Sequence, residues 1–86
     1  MNEAERSVEW TETALEDMSA LDKGTARRVQ HAVERFAEIG AGNLKKLQGI
    51  DPPEYRLRVG DWRVRFHQEE KVIRILRVRN RKEAYR

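Results

Sequence analysis

The sequence predicts an α+β domain, with an N-terminal helical hairpin packed on a small, mostly antiparallel four-stranded sheet. Three observations lead there. Apolar residues recur at helical spacing through the first 39 positions. From Tyr55 onward the period of the pattern changes to two. The chain has 86 residues, which predicts one domain over residues 1–86. A chain this short buries only about 60–65% of its unfolded surface, so its core is small and its stability marginal. It has no cysteine, which excludes a disulfide staple and a thiolate metal site.

The elements follow in order. Residues 6–10 alternate weakly and predict a short strand, placed at a sheet edge or beside the most apolar strand. Thr11 or Thr13 offers an N-cap, the latter with Glu16 as a capping box. Ala14, Leu15, Met18 and Leu21 then form an apolar stripe. Asp22 or Thr25 caps a second helix, whose stripe is Ala26, Val29, Val33, Phe36 and Ile39. Gly40 and Gly42 end it. The break between the helices is short, which predicts a hairpin.

Residues 43–54 read as a loop, and Pro52-Pro53 starts an extended segment. Tyr55, Leu57 and Val59 alternate with Arg56 and Arg58. Gly60-Asp61 signals a turn. Trp62, Val64 and Phe66 alternate with Arg63, Arg65 and His67. A second turn at residues 68–71 leads to residues 72–79, the most apolar strand, and a polar tail follows.

Charge is distributed unevenly. Residues 1–39 carry five basic and nine acidic side chains, a net −4, while residues 40–86 carry thirteen and six, a net +7. A basic half suggests a polyanionic partner; charge alone fits a surface kept for solubility equally well. Strand alternation sharpens the choice. If Leu57, Val64 and Phe66 face the helices, Arg56, Arg58, Arg63 and Arg65 face away, and Arg77, Arg79 and Arg81 can join them. Guanidiniums crowded on one face favour an anion between them, and phosphate oxygens match the guanidinium fork. The alternative is a solvated face neutralised by Glu54, Asp61 and Glu83. His31 lies off its helix's stripe, and Trp10 and Trp62 read as packing residues. No apolar run approaches the ~20 residues of a membrane span, and the polar start is unlike a signal peptide. No membrane association and a cytoplasmic location are therefore expected.

Two segments carry a resemblance over almost the whole chain. Tyr55-Arg-Leu-Arg-Val-Gly-Asp-Trp-Arg-Val-Arg-Phe66 and Ile75-Leu-Arg-Val-Arg-Asn-Arg-Lys-Glu-Ala-Tyr-Arg86, with Leu44-Lys-Lys-Leu-Gln-Gly49 upstream, resemble the RelE/ParE superfamily of bacterial and archaeal toxins. The basic strands favour the RelE branch, whose members cleave messenger RNA in the ribosomal A site. The ParE branch shares the fold, is understood to poison DNA gyrase and generally lacks the catalytic set.

The resemblance implies a RelE-like fold and an mRNA interferase, a ribosome-dependent endonuclease working without cofactor or metal. It also implies a cognate antitoxin, the 30S A site and messenger RNA as partners. By position, Arg58, Arg63, Arg81 and Tyr85 are the catalytic expectations. Arg63 would clamp the phosphate, Arg81 would stabilise the transition state or assist the leaving group, and Tyr85 would stack on or orient a base. Lys45, Lys46, Arg56, Arg65, Arg77, Arg79 and Lys82 are the RNA-binding expectations. One departure matters. The family's expected general base is a lysine, whereas here both strand positions, Arg56 and Arg58, are arginine, which stays protonated near neutral pH. Lys45, Lys46, Lys82 and His67 are alternative proton acceptors, with His67 as an ordinary exposed residue the blander reading. Asn80 stands where related chains often carry histidine. Two other readings stand beside this one: a ParE-like gyrase inhibitor without nuclease chemistry, and a non-catalytic basic RNA-binding module.

Overall fold

Ser7–Trp10 forms β1, followed by the helices α1 (Glu12–Ser19) and α2 (Lys23–Ile39). The strands β2 (Asn43–Lys46), β3 (Tyr55–Val59), β4 (Trp62–Gln68) and β5 (Val72–Asn80) come next, and the short helix α3 (Arg81–Ala84) closes the described chain. The computed structural model describes residues 6–84. The strands form one sheet in the order β1-β5-β4-β3-β2. β1 runs parallel to β5, and the other neighbours are antiparallel.

The sheet therefore has five strands rather than four. The extra one is β2, inside the segment read as a loop. All four of its residues are exposed, so no alternation marks it. Its pairing to β3 makes it a strand, with Leu44 opposite Leu57 and Lys45 opposite Arg56.

The helices do not form an N-terminal hairpin. β1 precedes them, and they pack on the sheet separately, α1 on β5 and α2 on β1 and β3. The topology requires this, because α1 and α2 carry the chain from one sheet edge to the other. β1 ends at Trp10, level with Ile75, and leaves the rest of the β5 edge unpaired. α1 occupies that place. Thr11 donates its amide to the Ile75 carbonyl (3.1 Å), and Asp17 Oδ2 accepts from the Val78 amide (2.9 Å). Such edge groups are costly to bury unpaired.

Side chains decide the helix ends. Thr11 Oγ1 accepts from the Ala14 amide, and Asp22 accepts from the Thr25 amide and hydroxyl. Gly40 ends α2 at φ 71°, where glycine is favoured. At the other end of the crossover, the Arg6 amide donates to the Ala37 carbonyl and ties β1 to the last turns of α2.

The core lies between the helices and one sheet face. Val29, Val33 and Phe36 from α2 meet Leu57, Val64, Phe66, Ile73 and Ile75. The Phe66 ring sits 5.4 Å from that of Phe36 and 5.8 Å from that of Tyr55. Burying a side chain of this size is worth about 1.5–3 kcal/mol. Trp10 and Trp62 pack against this core, and His31 is exposed. Two stripe residues miss the core, Leu15 at 53% exposure and Ile39 at 54%. Each neighbours the true stripe without lying on it. Ala14 and Ala37 take the buried positions, because the contact with the sheet is narrow.

β5 contains one irregularity with consequences. Arg65 pairs with Arg77, but Phe66 pairs with Ile75, so Leu76 is an extra residue on β5. This bulge resets the alternation. Ile73 and Ile75 face the core before it, and Val78 does so after it. Arg77 and Arg79 are thereby turned to the face opposite the core, which an unbroken period of two would have denied them.

Candidate functional site

Strand register arranges the arginines in rows across the face opposite the core. One row runs Asn43, Arg58, Arg63, Arg79 from β2 to β5. The next runs Lys45, Arg56, Arg65, Arg77. A third joins His67, Arg74 and Glu9. Directly opposed residues in an antiparallel pair lie about 5 Å apart at Cβ, close enough for charges to interact.

Two members of the first row, Arg58 and Arg63, meet at the β3–β4 turn. Gly60 has φ 58°, and no residue other than glycine has a positive φ among those described. Glycine first and an ordinary residue second is the type II′ pattern, which accounts for Gly-Asp standing where Asp-Gly is commoner. The Gly60 carbonyl accepts from Nη1 of Arg63 at 2.9 Å and from Nε of Arg58 at 3.4 Å. Arg63 Nη1 also donates to the Trp62 carbonyl at 3.1 Å. The Arg81 amide donates to the Asp61 carbonyl at 2.7 Å, which fixes the start of α3 beside the same turn. Arg63 is only 5% exposed, and its Nε is buried without a hydrogen-bond partner. Arg58 is exposed.

The second row is held differently. Glu54 accepts from Arg65 Nη2, and Asp17 accepts from Arg77 through both Nε (2.9 Å) and Nη2 (3.2 Å). The third row is balanced by Glu69, 2.7 Å from Arg74, and Glu9, 3.4 Å away. The hydrogen bond to Glu69 raises Arg74 above its ordinary value. A carbonyl tether orients a guanidinium and leaves its charge intact, whereas a carboxylate tether also neutralises it. Carbonyls thus hold Arg58 and Arg63 beside the turn, and carboxylates hold Arg65, Arg74 and Arg77.

Other expected residues are placed unevenly. Lys45 shares a row with Arg56, but Lys46 pairs with Tyr55 and so belongs to the opposite face. His67 Nε2 lies 3.9 Å from Glu54 Oε1, below the second row. Arg81 and Lys82 are exposed on α3, and the Lys82 amide donates to Asn80 Oδ1. Tyr85 lies outside the described residues. Asp17 was not foreseen, although a carboxylate between Ala14 and Leu21 on a packing face is a readable signal. Among the described residues no group of three His, Cys, Asp or Glu side chains is placed to hold a metal ion. No helix among them is long and apolar enough to cross a membrane.

Comparison with known proteins fits this arrangement. Residues 8–85 match the model of the ParE toxin of the type II toxin–antitoxin system parDE. Three solved complexes share the fold. The archaeal RelE–RelB complex from Pyrococcus horikoshii matches with a TM-score of 0.74 and 25% identity, over 88% of this chain and 94% of that one. The RelB–RelE antitoxin–toxin complex from Methanococcus jannaschii matches with a TM-score of 0.73 and 22% identity, over 90% and 94%. The toxin–antitoxin complex RelBE2 from Mycobacterium tuberculosis matches with a TM-score of 0.74 and 21% identity, over 88% and 98%. No curated protein matches the sequence. With four-fifths or more of the chain aligned to the family model and its fold shared with RelE toxins, the protein belongs to the ParE toxin family of type II toxin–antitoxin systems, within the RelE/ParE superfamily.

Proposed function

We propose that this toxin is a ribosome-dependent messenger RNA endonuclease of the RelE type, acting in the cytoplasm and held in check by a cognate antitoxin. The observation that carries the reading is that one two-residue turn holds the Arg58 and Arg63 guanidiniums through the Gly60 carbonyl and anchors the start of α3 through the Arg81 amide. In the reaction the RNA 2′ oxygen attacks the adjacent phosphorus and the bond to the 5′ oxygen breaks. The products are a 2′,3′-cyclic phosphate and a 5′-hydroxyl. Negative charge builds on the phosphoryl oxygens in the transition state, and preorganised donors aimed there supply the largest share of stabilisation. Arg63 is preorganised, being buried and held by two carbonyls. Its fork clamps the phosphate, and Arg58 adds charge from the neighbouring strand. Arg81 stabilises the leaving oxygen from α3, and Tyr85 orients a base. The 2′ proton passes to a general base, for which Lys45, Lys82 and His67 are the candidates, Lys46 being on the other face. The solved relatives were captured with RelB antitoxins, which supports an antitoxin partner here.

A second reading, inhibition of DNA gyrase, is favoured by the ParE description of the matching family and by arginine in place of lysine at Arg56 and Arg58. Translation on programmed ribosomes, with primer extension across the A-site codon, decides between them. Cleavage by the wild type that is lost in Arg63→Ala and Arg81→Ala supports the nuclease. Intact message with inhibited supercoiling supports the gyrase reading. Neither effect, with salt-sensitive RNA binding, leaves a non-catalytic RNA-binding module.

A further inference from the structure

α2 carries its charges in the order that a helix favours least. Lys23, Arg27 and Arg28 stand in its N-terminal half, toward the positive end of the macrodipole, and Glu34 and Glu38 stand in its C-terminal half, toward the negative end. Its first turn holds no acidic side chain and its last turn no basic one. Helix stability does not account for this order, so the three cations need another reason. All three are exposed, and among the described residues no carboxylate lies within ion-pair distance of them. The one carboxylate of residues 22–29, Asp22, is taken up as the cap by the Thr25 amide and hydroxyl. Arg28 Nη2 donates to an uncharged acceptor, Thr25 Oγ1, at 3.4 Å.

Lys23 and Arg27 are neighbours on the helix surface, about 6 Å apart along its axis. Arg28 is turned from Arg27 by about 100° around the helix. This brings it to the β3–β4 turn, where a cleft of about 250 Å³ has Thr25 and Arg28 on one wall and Gly60, Asp61 and Trp62 on the other. Asp61 also serves the far side of the turn, its carbonyl accepting from the Arg81 amide. The three cations therefore form a track that leads from this turn onto the outer face of α2.

The chemistry of the track selects its occupant. A protein partner needs large anchors at the centre of its interface. Among the described residues the exposed large apolar side chains, Leu15, Ile39, Leu44 and Ile50, all lie elsewhere. A guanidinium fork matches phosphate oxygens, and the positive end of the macrodipole adds to the attraction for an anion. We propose that Lys23, Arg27 and Arg28 form a second RNA-binding surface, which holds phosphates of the bound strand beyond the one at the β3–β4 turn. The proposal rests on the reading of the substrate as RNA and gives that strand a further contact.

The test is the salt dependence of binding to an unstructured oligouridine. It compares wild type with Lys23→Gln/Arg27→Gln/Arg28→Gln and with Arg35→Gln/Lys46→Gln/Lys71→Gln. The second triple variant makes the same change in net charge at exposed positions away from the track. Each phosphate contact contributes about 0.7 to the slope of log affinity against log salt for single strands. The first triple variant is expected to flatten the slope by about 2, and the second to leave it near the wild-type value. On programmed ribosomes the first should need more toxin for half-maximal cleavage and reach the wild-type rate at saturation. The charge order predicts that it melts no lower than wild type. Should it melt lower, Arg27→Gln alone, expected to remove about 0.7 of the slope, carries the test. An unchanged slope, or equal flattening in both triple variants, overturns the proposal. So does an unchanged slope with weaker binding to ribosomes or to the antitoxin, which gives the cations to another partner. A wild type that cleaves no message while its slope still depends on the track refutes the nuclease reading and supports the RNA-binding surface.

Discussion

Nη1 of Arg63 lies 2.9 Å from the carbonyl oxygen of Gly60, three residues back along the same hairpin. A guanidinium on a β-strand has ~2 kcal/mol of rotamer entropy to lose before it can act on a phosphate. Here the fold has already removed that freedom, and it has done so with an uncharged acceptor. The arrangement predicts that Arg63 matters through both its position and its charge. Arg63→Ala is expected to lower single-turnover cleavage on the ribosome by about 10²–10³-fold, the range seen for loss of one transition-state donor. Arg63→Lys retains the charge but not the fork, so its rate should fall between the two. Equal rates for wild type and Arg63→Lys would show that charge alone suffices.

The acceptor side of this contact is open to the same reasoning. Gly60 sits at φ 58°, and a Cβ there would meet no atom within 4 Å. Space is available, so the penalty for Gly60→Ala is conformational, about 1–2 kcal/mol for a non-glycine residue in the left-handed region. For a domain of this size each 1 kcal/mol lowers Tm by about 4–8 °C. The carbonyl that holds Arg58 and Arg63 is part of this turn, so cleavage should fall further than the loss of folded protein explains. Thermal melting and cleavage measured on the same sample separate the two effects.

Asp17 serves two partners at once, the Arg77 guanidinium and the Val78 amide. Asp17→Asn keeps an acceptor for the amide, whereas Asp17→Ala leaves a strand-edge N–H unpaired beneath α1. An unsatisfied buried donor costs about 1–3 kcal/mol. Arg77 is more than a third exposed, so the ion pair itself adds less than the amide contact. Urea unfolding should therefore rank the variants wild type, Asn, Ala, with the larger step between Asn and Ala. A larger step between wild type and Asn would give the ion pair the leading part.

The legibility of the fold followed burial. β3, β4 and β5 alternate because one face packs on the helices and the other carries charged side chains, and α2 shows its stripe because Val29, Val33 and Phe36 are buried. β2 left no such trace, since an edge strand with four exposed residues is defined by its hydrogen bonds. The separate docking of α1 and α2 was hidden for a related reason, because it depends on where β1 ends rather than on either helix's own pattern. In the candidate site, Arg58, Arg63 and Arg65 could be placed from parity alone. Arg77 could be placed on the same face only once the bulge at Leu76 was known. Glu54 could be named as a neutralising carboxylate from sequence, and it does accept from Arg65, but the pairing of Asp17 with Arg77 was beyond sequence because the two are 60 positions apart.

Asp22 provides a test in acid. Its carboxylate is held below the usual value of 3.8, first by the hydrogen bond from the Thr25 hydroxyl and then by that from the Thr25 amide. The folded state therefore binds this proton less readily than the unfolded chain does. Linkage then fixes the sign: the stabilisation is present above the unfolded pKa and is lost as pH falls through the folded one. Asp22→Asn still caps α2 through its side-chain oxygen but carries no proton to bind. The difference in Tm between wild type and Asp22→Asn, followed from pH 6 downward, should hold steady to about pH 5. It should then shrink through the region below 3.8. Other carboxylates titrate in both proteins alike and cancel from the difference. A difference that stays constant to the acid limit would mean that the unfolded chain holds Asp22 at the same pKa, and that the Thr25 contacts act as a cap without stabilising the charge.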